Sequence, residues 1–275
     1  MSNEIRTIGF IGAGNMPQSI LGGMIKGGYP ASSIIVSNPS RPKLDMLEEK
    51  YGISTSQDNH EIARKADVIV LSVKPQLMRD VCEDLKANVQ GWENKLIITI
   101  AAGLRMDSYY EYFGNNIALV RVMPNTPSLV GEGVSGLVAD ANVSKTDRDF
   151  VTRVFDFVGI TIWLEEEDAI DVLGAVAGSG PAYFFEFMHT LQRAAEELGI
   201  DSEQARAMVQ QTCLGAAKMA SESDLSLIDL RKQVTSKGGS TAKGVEVYQQ
   251  AELGKISQRA VNAAVARNQE MAKLF

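Results

Sequence analysis

A turn containing two glycines, close to the start of the chain, has the spacing of a phosphate-binding loop. The apolar run Ile8–Ile11 predicts a strand, the turn reads Gly12-x-Gly14, and a helical pattern follows over 16–26. The first glycine permits the tight bend, the second lets the backbone approach phosphates, and the helix N-terminus offers free N–H groups. The segment predicts a dinucleotide pyrophosphate site, although a strand-to-helix turn without a ligand has the same local pattern. Pro17 occupies the position of the usual third small residue, and a helix tolerates proline in its first turn.

The segment after the second predicted strand, Ile34–Ser37, indicates which dinucleotide is bound. An NAD site normally has an acidic residue at the end of this strand, where it accepts hydrogen bonds from the ribose 2′-hydroxyl. Here no acidic residue occurs between Glu4 and Asp45, and the segment reads Ser37-Asn38-Pro39-Ser40-Arg41-Pro42-Lys43. Hydroxyls, an amide and two cations favour a 2′-phosphate, so the sequence predicts NADP(H). A solvated turn is the alternative, because Ser, Asn and Pro are common in turns.

Composition argues against several other classes of function. The chain has 275 residues, 45% of them hydrophobic, and a formal net charge of -7, with no basic run that nucleic acid would bind. We expect neither a signal peptide nor a membrane-spanning segment. Cys82 and Cys213 fit buried thiols in a reducing cytoplasm. Because His60 and His189 are the only histidines, we expect no metal site built on His.

Short apolar runs alternate with helical patterns in the first part of the chain. Strands are predicted over 8–11, 34–37, 68–73, 96–101, 118–122, 134–138 and 161–164, with helices between most of them, for example over 42–50 and 77–87. This alternation predicts an α/β domain with a mostly parallel sheet and helices on both faces. We place this domain at residues 1–165.

The remainder, residues 166–275, predicts helix after helix. A long apolar helix is expected over 169–198, followed by helices over 202–222, 225–234, 241–251 and 256–274. The expected helix starts are Asp201, Ser202 and Ser257, and the expected ends are Gly199 and Gly254. The acidic run 165–168 is interpreted as a solvated helix start, which the helix dipole favours. Small and apolar residues cover these helices, so we predict an all-α domain that buries a subunit interface.

Four further segments occur in order along the chain. They are Val73-Lys74-Pro75, Met123-Pro124-Asn125-Thr126-Pro127, Gly178-Ser179-Gly180-Pro181-Ala182-Tyr183 and Ser236-Lys237-Gly238-Gly239-Ser240-Thr241. With these segments and the glycine turn, the chain closely resembles the pyrroline-5-carboxylate reductase family over essentially its whole length. Two departures are Pro17, where the family often has Gly or Ala, and Lys237, where it usually has Pro. Neither removes a group that the chemistry needs.

The resemblance implies the reduction of 1-pyrroline-5-carboxylate to L-proline, the last step of proline biosynthesis. It implies a Rossmann-like domain followed by a helical dimerisation domain, a homodimer or a decamer built as a pentamer of dimers, and NADPH as cofactor with NADH at lower efficiency. The implied cofactor contacts are Gly12, Ala13, Gly14, Asn15, Met16, Asn38, Asn59, Ser72, Val73, Lys74, Pro75, Ala101, Ala102 and Gly103. The implied substrate-binding residues are Glu167, Ser236, Gly239, Ser240 and Thr241.

Reduction of a protonated cyclic imine requires a hydride at carbon and no His or Lys acid, so the enzyme chiefly positions its substrates and excludes water. We assign the hydrogen bond to the ring nitrogen to the Thr241 hydroxyl, as the catalytic contact, and the substrate carboxylate to backbone N–H groups around 238–241. A helix N-cap by Ser240 or Thr241 is the other interpretation. Lys74 is predicted to lie beside the nicotinamide ribose or phosphates. Asn125 either lines the nicotinamide pocket or ties loops together.

Two other functions fit parts of the sequence. A 3-hydroxyacid dehydrogenase shares the two-domain plan, but it uses a lysine on the helix after the second domain's glycine cluster, and no lysine occurs between Lys145 and Lys218. A nucleotide-binding regulatory protein without catalysis would keep the glycine turn but has no need of the segment 236–241.

Overall fold

In the computed structural model, which describes residues 5–272, eight strands form one sheet. The strands are β1 (Ile8–Ile11), β2 (Ile34–Ser37), β3 (Ser54–Ser56), β4 (Val68–Leu71), β5 (Leu96–Thr99), β6 (Ala118–Met123), β7 (Gly133–Ala139) and β8 (Gly159–Trp163). Their order is β3-β2-β1-β4-β5-β6-β7-β8, and every neighbouring pair is parallel except β6 and β7. The mostly parallel sheet confirms the predicted fold class. The prediction lacks β3, because this short strand is polar and has no apolar run.

Helices cover both faces of this sheet. They are α1 (Asn15–Lys26), α2 (Arg41–Tyr51), α3 (Asn59–Lys65), α4 (Pro75–Asn88), α5 (Met106–Phe113) and α6 (Lys145–Asp156). Buried side chains of α1, α2 and α6 pack with one face of the sheet, and those of α3, α4 and α5 pack with the other. In β4, Val68 and Val70 belong to the first core, and Ile69 and Leu71 to the second. The strand reads as a continuous apolar run because both of its faces are buried.

The predicted single helix over 169–198 is wrong, because a π-helical turn over Gly174–Gly178 interrupts it. The later helices are α7 (Ala169–Leu173), α8 (Gly180–Glu197), α9 (Ser202–Ser221), α10 (Leu227–Gln233), α11 (Ser240–Gln250) and α12 (Leu253–Ala272). Pro181 has no N–H to donate to the carbonyl of Ala177, four residues earlier. The Asn125 amide donates to that carbonyl oxygen instead, at 2.9 Å. Proline thus breaks the regular ladder at this point, and a distant side chain satisfies the acceptor that it leaves.

The start of the last helix also differs from the prediction. Helix α12 begins at Leu253, so Ser257 is not its start and Gly254 does not end the preceding helix. Glu252 makes the turn instead, with φ of 55°. Asp201 does cap α9, because its carboxylate accepts from the N–H of Glu203. The last two residues of the predicted helix, 273 and 274, lie outside the described residues.

The chain divides into two compact units. One runs to Gly178 and includes the chain again from Ala264, and the other is Ser179–Ala263. A domain boundary at residue 165 stays a prediction. Within the second unit, all of whose residues are described, only Gly180 and Ala205 are buried. Among residues 5–272, none of the helices has both the length and the apolar character that a membrane span requires.

Candidate functional site

The predicted cofactor residues follow five parallel strands. Gly12–Met16 comes after β1, Asn38 after β2, Asn59 after β3, Ser72–Pro75 after β4 and Ala101–Gly103 after β5. Because the carboxyl ends of parallel strands meet at one edge of a sheet, the fold brings all of these residues to the same edge. The strand order reverses at β1, which lies between β2 and β4. Ligands of open α/β sheets bind outside the carboxyl ends of the strands at such a point.

The backbone conformation and the packing at Gly12 both require a glycine. Its φ is +108°, and a Cβ there would lie 2.8 Å from the carbonyl oxygen of Ser72. Only glycine meets both conditions without strain. The Ser72 hydroxyl donates to the carbonyl oxygens of Ile11, at 2.9 Å, and of Gly12, at 3.0 Å. Ser72 therefore fastens the turn to the end of β4 and holds its shape.

Gly14, by contrast, has no packing constraint within the chain. The nearest atom to a Cβ placed there is Cδ of Pro17, at 3.8 Å, which is an ordinary contact. Gly14 is the N-cap of α1 and has extended backbone angles, and no side chain caps this helix. N–H groups that no side chain caps, next to a residue without a side chain, fit a dinucleotide pyrophosphate. In this turn, Gly12 allows the tight bend, and Gly14 leaves space for a bound pyrophosphate.

The end of β2 is tied directly to the glycine turn. The Gly12 N–H donates to the carbonyl oxygen of Ser37 at 2.9 Å, and the Ser37 hydroxyl donates to Oδ1 of Asn59 at 2.7 Å. The Asn38 amide donates to the carbonyl oxygen of Ser40 at 3.1 Å. Ser37 is fully buried. Its hydroxyl, one of those expected to favour a 2′-phosphate, therefore has a partner within the chain, as a buried hydroxyl requires.

Arg41, the first residue of α2, is already paired. Its Nε lies 2.6 Å from Oδ1 of Asp45, and its Nη2 lies 2.8 Å from Oε2 of Glu48. All three side chains are more than one third exposed. Ser40, the N-cap of α2, makes no side-chain cap hydrogen bond. Of the two cations predicted for a 2′-phosphate, Arg41 therefore already has two carboxylate partners, and Lys43 is exposed.

The remaining cofactor loops are shaped by backbone geometry. Lys74 is the N-cap of α4, and Pro75 opens the helix, where its missing N–H costs nothing. The Lys74 side chain is exposed. After β5, Ala101 is buried, and Gly103 has φ of +82°. The loops after β4 and β5 therefore lie at the same carboxyl edge of the sheet as the glycine turn.

Glu167 is not part of a solvated helix start. Its Oε1 lies 2.5 Å from Nη1 of Arg121 on β6 and accepts from the N–H of Met106 at 2.9 Å, and its Oε2 lies 3.3 Å from Nη2 of Arg105. The Arg121 side chain is only 5% exposed. Arg121 was not predicted as a site residue, although an arginine inside an apolar strand indicates a buried charge that must be paired.

Asp171 lies close to the same cluster. It is a buried residue of α7, and burial raises the pKa of its carboxyl group, while the charges of Arg121 and Arg105 oppose that rise. Arg105 also pairs with Asp168 at 2.8 Å. Three acidic residues and two arginines therefore cluster around the start of α7, and the cluster has one more negative than positive charge when all five groups are ionised.

Asn125 ties loops together. Its amide nitrogen donates to the carbonyl oxygen of Ala177 at 2.9 Å, and its Oδ1 accepts from the N–H of Val134 at 2.9 Å. The residue is 6% exposed. Of the two interpretations that the sequence left open, the structure shows the loop-tying one, since both ends of the amide are occupied by backbone groups.

The substrate-side residues other than Glu167 lie in the second unit, around the start of α11. Gly239 is the helix N-cap, and neither Ser240 nor Thr241 caps it, so the capping interpretation is wrong. A Cβ at Gly239 would lie 2.5 Å from the Ser236 hydroxyl, and Gly238 has φ of +75°. Thr241 is exposed in the first turn. The turn presents N–H groups that no side chain caps, beside the hydroxyl residues Ser236, Ser240 and Thr241, an arrangement suited to a small carboxylate. In residues 5–272, no group of His, Cys, Asp and Glu is placed to hold a metal ion.

Comparison with known proteins gives consistent matches across the whole chain. Residues 167–271 match the family model described as pyrroline-5-carboxylate reductase dimerisation, and residues 7–103 match the one described as NADP oxidoreductase coenzyme F420-dependent. The pyrroline-5-carboxylate reductase of Vibrio alginolyticus is 46% identical over 273 residues, which cover 99% of this chain and 100% of that protein.

Two solved structures extend the similarity to three dimensions. The structure of a pyrroline-5-carboxylate reductase from Coxiella burnetii has a TM-score of 0.94 at 41% identity, covering 98% of this chain and 99% of that one. That of Plasmodium falciparum pyrroline carboxylate reductase with NADP bound has a TM-score of 0.84 at 30% identity, covering 98% and 100%.

Proposed function

The chain belongs to the pyrroline-5-carboxylate reductase family, and from this premise we propose that it reduces 1-pyrroline-5-carboxylate to L-proline with NADPH as its preferred hydride donor. The observation that carries the proposal is the pair of uncapped helix starts. Helix α1 begins after Gly14 and α11 begins after Gly239, and no side chain caps either of them. One start suits a pyrophosphate and the other suits a carboxylate.

The proposed chemistry needs few side chains. A reduced nicotinamide supplies the hydride for the imine carbon, and the protonated ring nitrogen becomes the secondary amine of proline. Thr241 holds the ring nitrogen through its hydroxyl, and N–H groups at the start of α11 hold the carboxylate. The protein contributes orientation and exclusion of water, which are the main requirements of a hydride transfer between two bound partners.

Glu167 has the role of a positioning residue in this proposal. Its carboxylate accepts from Arg121, Arg105 and the N–H of Met106. These partners support a role in holding the loop before α7. The predicted contact between Glu167 and the substrate stays a prediction.

The preference for NADPH rests on the end of β2. The segment Ser37–Lys43 contains hydroxyls, an amide and two cations, and it contains no carboxylate to accept from a ribose 2′-hydroxyl. Ser40 does not cap the start of α2, so the N–H groups of the first turn add donors for a phosphate, except at Pro42, which has no N–H. NADH serves at lower efficiency because the remaining contacts are common to both nucleotides.

A homodimer is part of the same proposal. The helices of Ser179–Ala263 bury almost nothing within the chain, and Phe184, Phe185 and Leu227 are 69%, 67% and 72% exposed. Apolar surface on this scale favours burial against another subunit. A pentamer of such dimers is the larger assembly we propose, and free thiols at Cys82 and Cys213 support a cytoplasmic location.

A steady-state assay with 1-pyrroline-5-carboxylate tests reaction, substrate and cofactor together. We expect oxidation of NADPH, with a higher kcat/KM for NADPH than for NADH under subsaturating conditions. A clear preference for NADH contradicts the cofactor proposal. No turnover of the imine, combined with reduction of NADP by 3-hydroxyacids, contradicts the proposed reaction.

A further inference from the structure

Arg41 is held by carboxylates at the point where the proposed cofactor would present its 2′-phosphate. The residue lies four positions after Ser37, the last residue of β2, and the Gly12 N–H bonds to the Ser37 carbonyl. The pyrophosphate turn and the start of α2 are therefore adjacent. A dinucleotide whose pyrophosphate lies on Gly12–Met16 directs its adenosine ribose toward the end of β2.

The two acidic partners are not equivalent. Asp45 follows Arg41 by one helical turn and contacts Nε, whereas Glu48 follows it by two turns and contacts Nη2. Glu48 also accepts a hydrogen bond from the Thr55 hydroxyl on β3. This second bond anchors the Glu48 carboxylate to the sheet edge. Glu48 is therefore the firmer of the two restraints on the guanidinium group.

We propose that Asp45 and Glu48 set the cofactor specificity of this enzyme by competing with the 2′-phosphate of NADPH for the Arg41 guanidinium. The inference rests on the proposed function, because it assumes that a nicotinamide dinucleotide occupies the carboxyl edge of the sheet. Asp45 and Glu48 thereby limit the preference for NADPH that the segment Ser37–Lys43 would otherwise produce.

Electrostatics supports this competition. One guanidinium group faces two carboxylates, and a phosphate monoester adds a charge of about -2 to the same place. Arg41 recognises a phosphate best through two parallel N–H donors, and here two different carboxylates occupy Nε and Nη2. Exposed ion pairs are weak and screened by salt, so the guanidinium can exchange its partners. Each carboxylate left behind then repels the phosphate.

Nucleotide binding to the full-length protein tests the proposal without reference to turnover. Isothermal titration calorimetry at one ionic strength gives the dissociation constants of NADP+ and NAD+ for the wild type, Glu48→Gln and Asp45→Asn/Glu48→Gln. We expect the double variant to raise the affinity for NADP+ relative to NAD+ by at least about fivefold, with a smaller rise for Glu48→Gln. NAD+ affinity should stay within about twofold, which also shows that the variants are folded.

Two further variants separate competition for Arg41 from a general loss of negative charge. Glu49→Gln removes an exposed carboxylate from the same helix, and Glu49 forms no ion pair with any described residue. It should leave the affinity ratio unchanged. Arg41→Gln should lower the ratio modestly in the wild type and abolish the whole gain in the double variant.

An unchanged or lower ratio in Asp45→Asn/Glu48→Gln contradicts the proposal, as does a gain that survives Arg41→Gln. A failure of this competition can be distinguished from a failure of the proposed function. A wild type that binds NAD+ more tightly than NADP+ refutes the NADPH preference, yet a rise in the double variant would still support the competition. Binding of neither nucleotide contradicts both.

Discussion

Arg121 and Glu167 form an ion pair with 2.5 Å between Nη1 and Oε1, and their side chains are only 5% and 14% exposed. The two residues lie 46 positions apart, on β6 and in the loop before α7. The pair therefore fixes the acidic run 165–168 to the sheet. A buried charge that loses its partner is costly, so this pair constrains what substitution at either position does.

Glu167→Gln should destabilise the protein by about 2–4 kcal/mol, because the buried Arg121 would lose the carboxylate with which it forms its ion pair. Urea unfolding at a fixed protein concentration measures the loss. Glu166→Gln is the matched control, since Glu166 is an exposed neighbour in the same run. If Glu167→Gln were as stable as the wild type and only raised the KM for the imine, Glu167 would be a direct substrate contact instead.

Substitution of the two glycines in the cofactor turn should have different effects, mainly on stability at Gly12 and mainly on nucleotide binding at Gly14. Gly12→Ala should destabilise the fold by about 2 kcal/mol or more, because its Cβ would meet the Ser72 carbonyl oxygen and its φ is positive. Gly14→Ala should cost less than about 1 kcal/mol in stability and weaken nucleotide binding by at least about tenfold. Thermal unfolding and nucleotide titration on both variants check this. Equal nucleotide affinity in Gly14→Ala and wild type would argue against a pyrophosphate at this turn.

Thr241→Ala should lower kcat for imine reduction by at least about tenfold, equivalent to about 1.4 kcal/mol of barrier. The loss should fall on turnover because the hydroxyl is proposed to hold the ring nitrogen. Since Thr241 is exposed and does not cap α11, the variant should fold normally. Thr241→Ser keeps the hydroxyl and should recover most of the rate. Unchanged kinetics in Thr241→Ala would remove this residue from the mechanism.

Asp147 should give the protein a defined pH dependence. The pKa of its carboxyl group lies below the ordinary value of 3.8: burial raises it, but hydrogen bonds from Ser144 and Arg6 lower it by more. A carboxyl group whose pKa is lowered by folding stabilises the native state above its unfolded pKa and loses that contribution as the pH falls through its folded pKa. Asp147→Asn should therefore cost about 1 kcal/mol at pH 7 and progressively less below pH of about 4.

Denaturant unfolding of Asp147→Asn across this pH range, alongside Asp149→Asn, isolates the effect. Asp149 is exposed on the same helix and controls for the general loss of a carboxylate. A difference between Asp147→Asn and wild type that stays constant from pH 7 to pH 3 would contradict the assignment.

The features that the sequence predicted correctly depend on neighbouring residues. The alternation of strands and helices, the turn around Gly12 and Gly14, and the cap by Asp201 each require only a few consecutive positions. The pairing of Arg41 with Asp45 was also accessible, because the two residues have i,i+4 spacing on a helix. It was missed because the helix was predicted to start at residue 42, whereas α2 begins at Arg41.

Other features depend on residues that are distant in sequence. Only the fold shows that Glu167 neutralises Arg121, and that the Asn125 amide takes the Ala177 carbonyl that Pro181 leaves without a donor. The missing N–H of proline was visible in the sequence, but the identity of the group that replaces it was not. Local chemistry and the order of the elements could thus be inferred from the chain alone. The partners of buried charges and carbonyls could not, because they lie on strands and loops that are distant in sequence and meet only through packing.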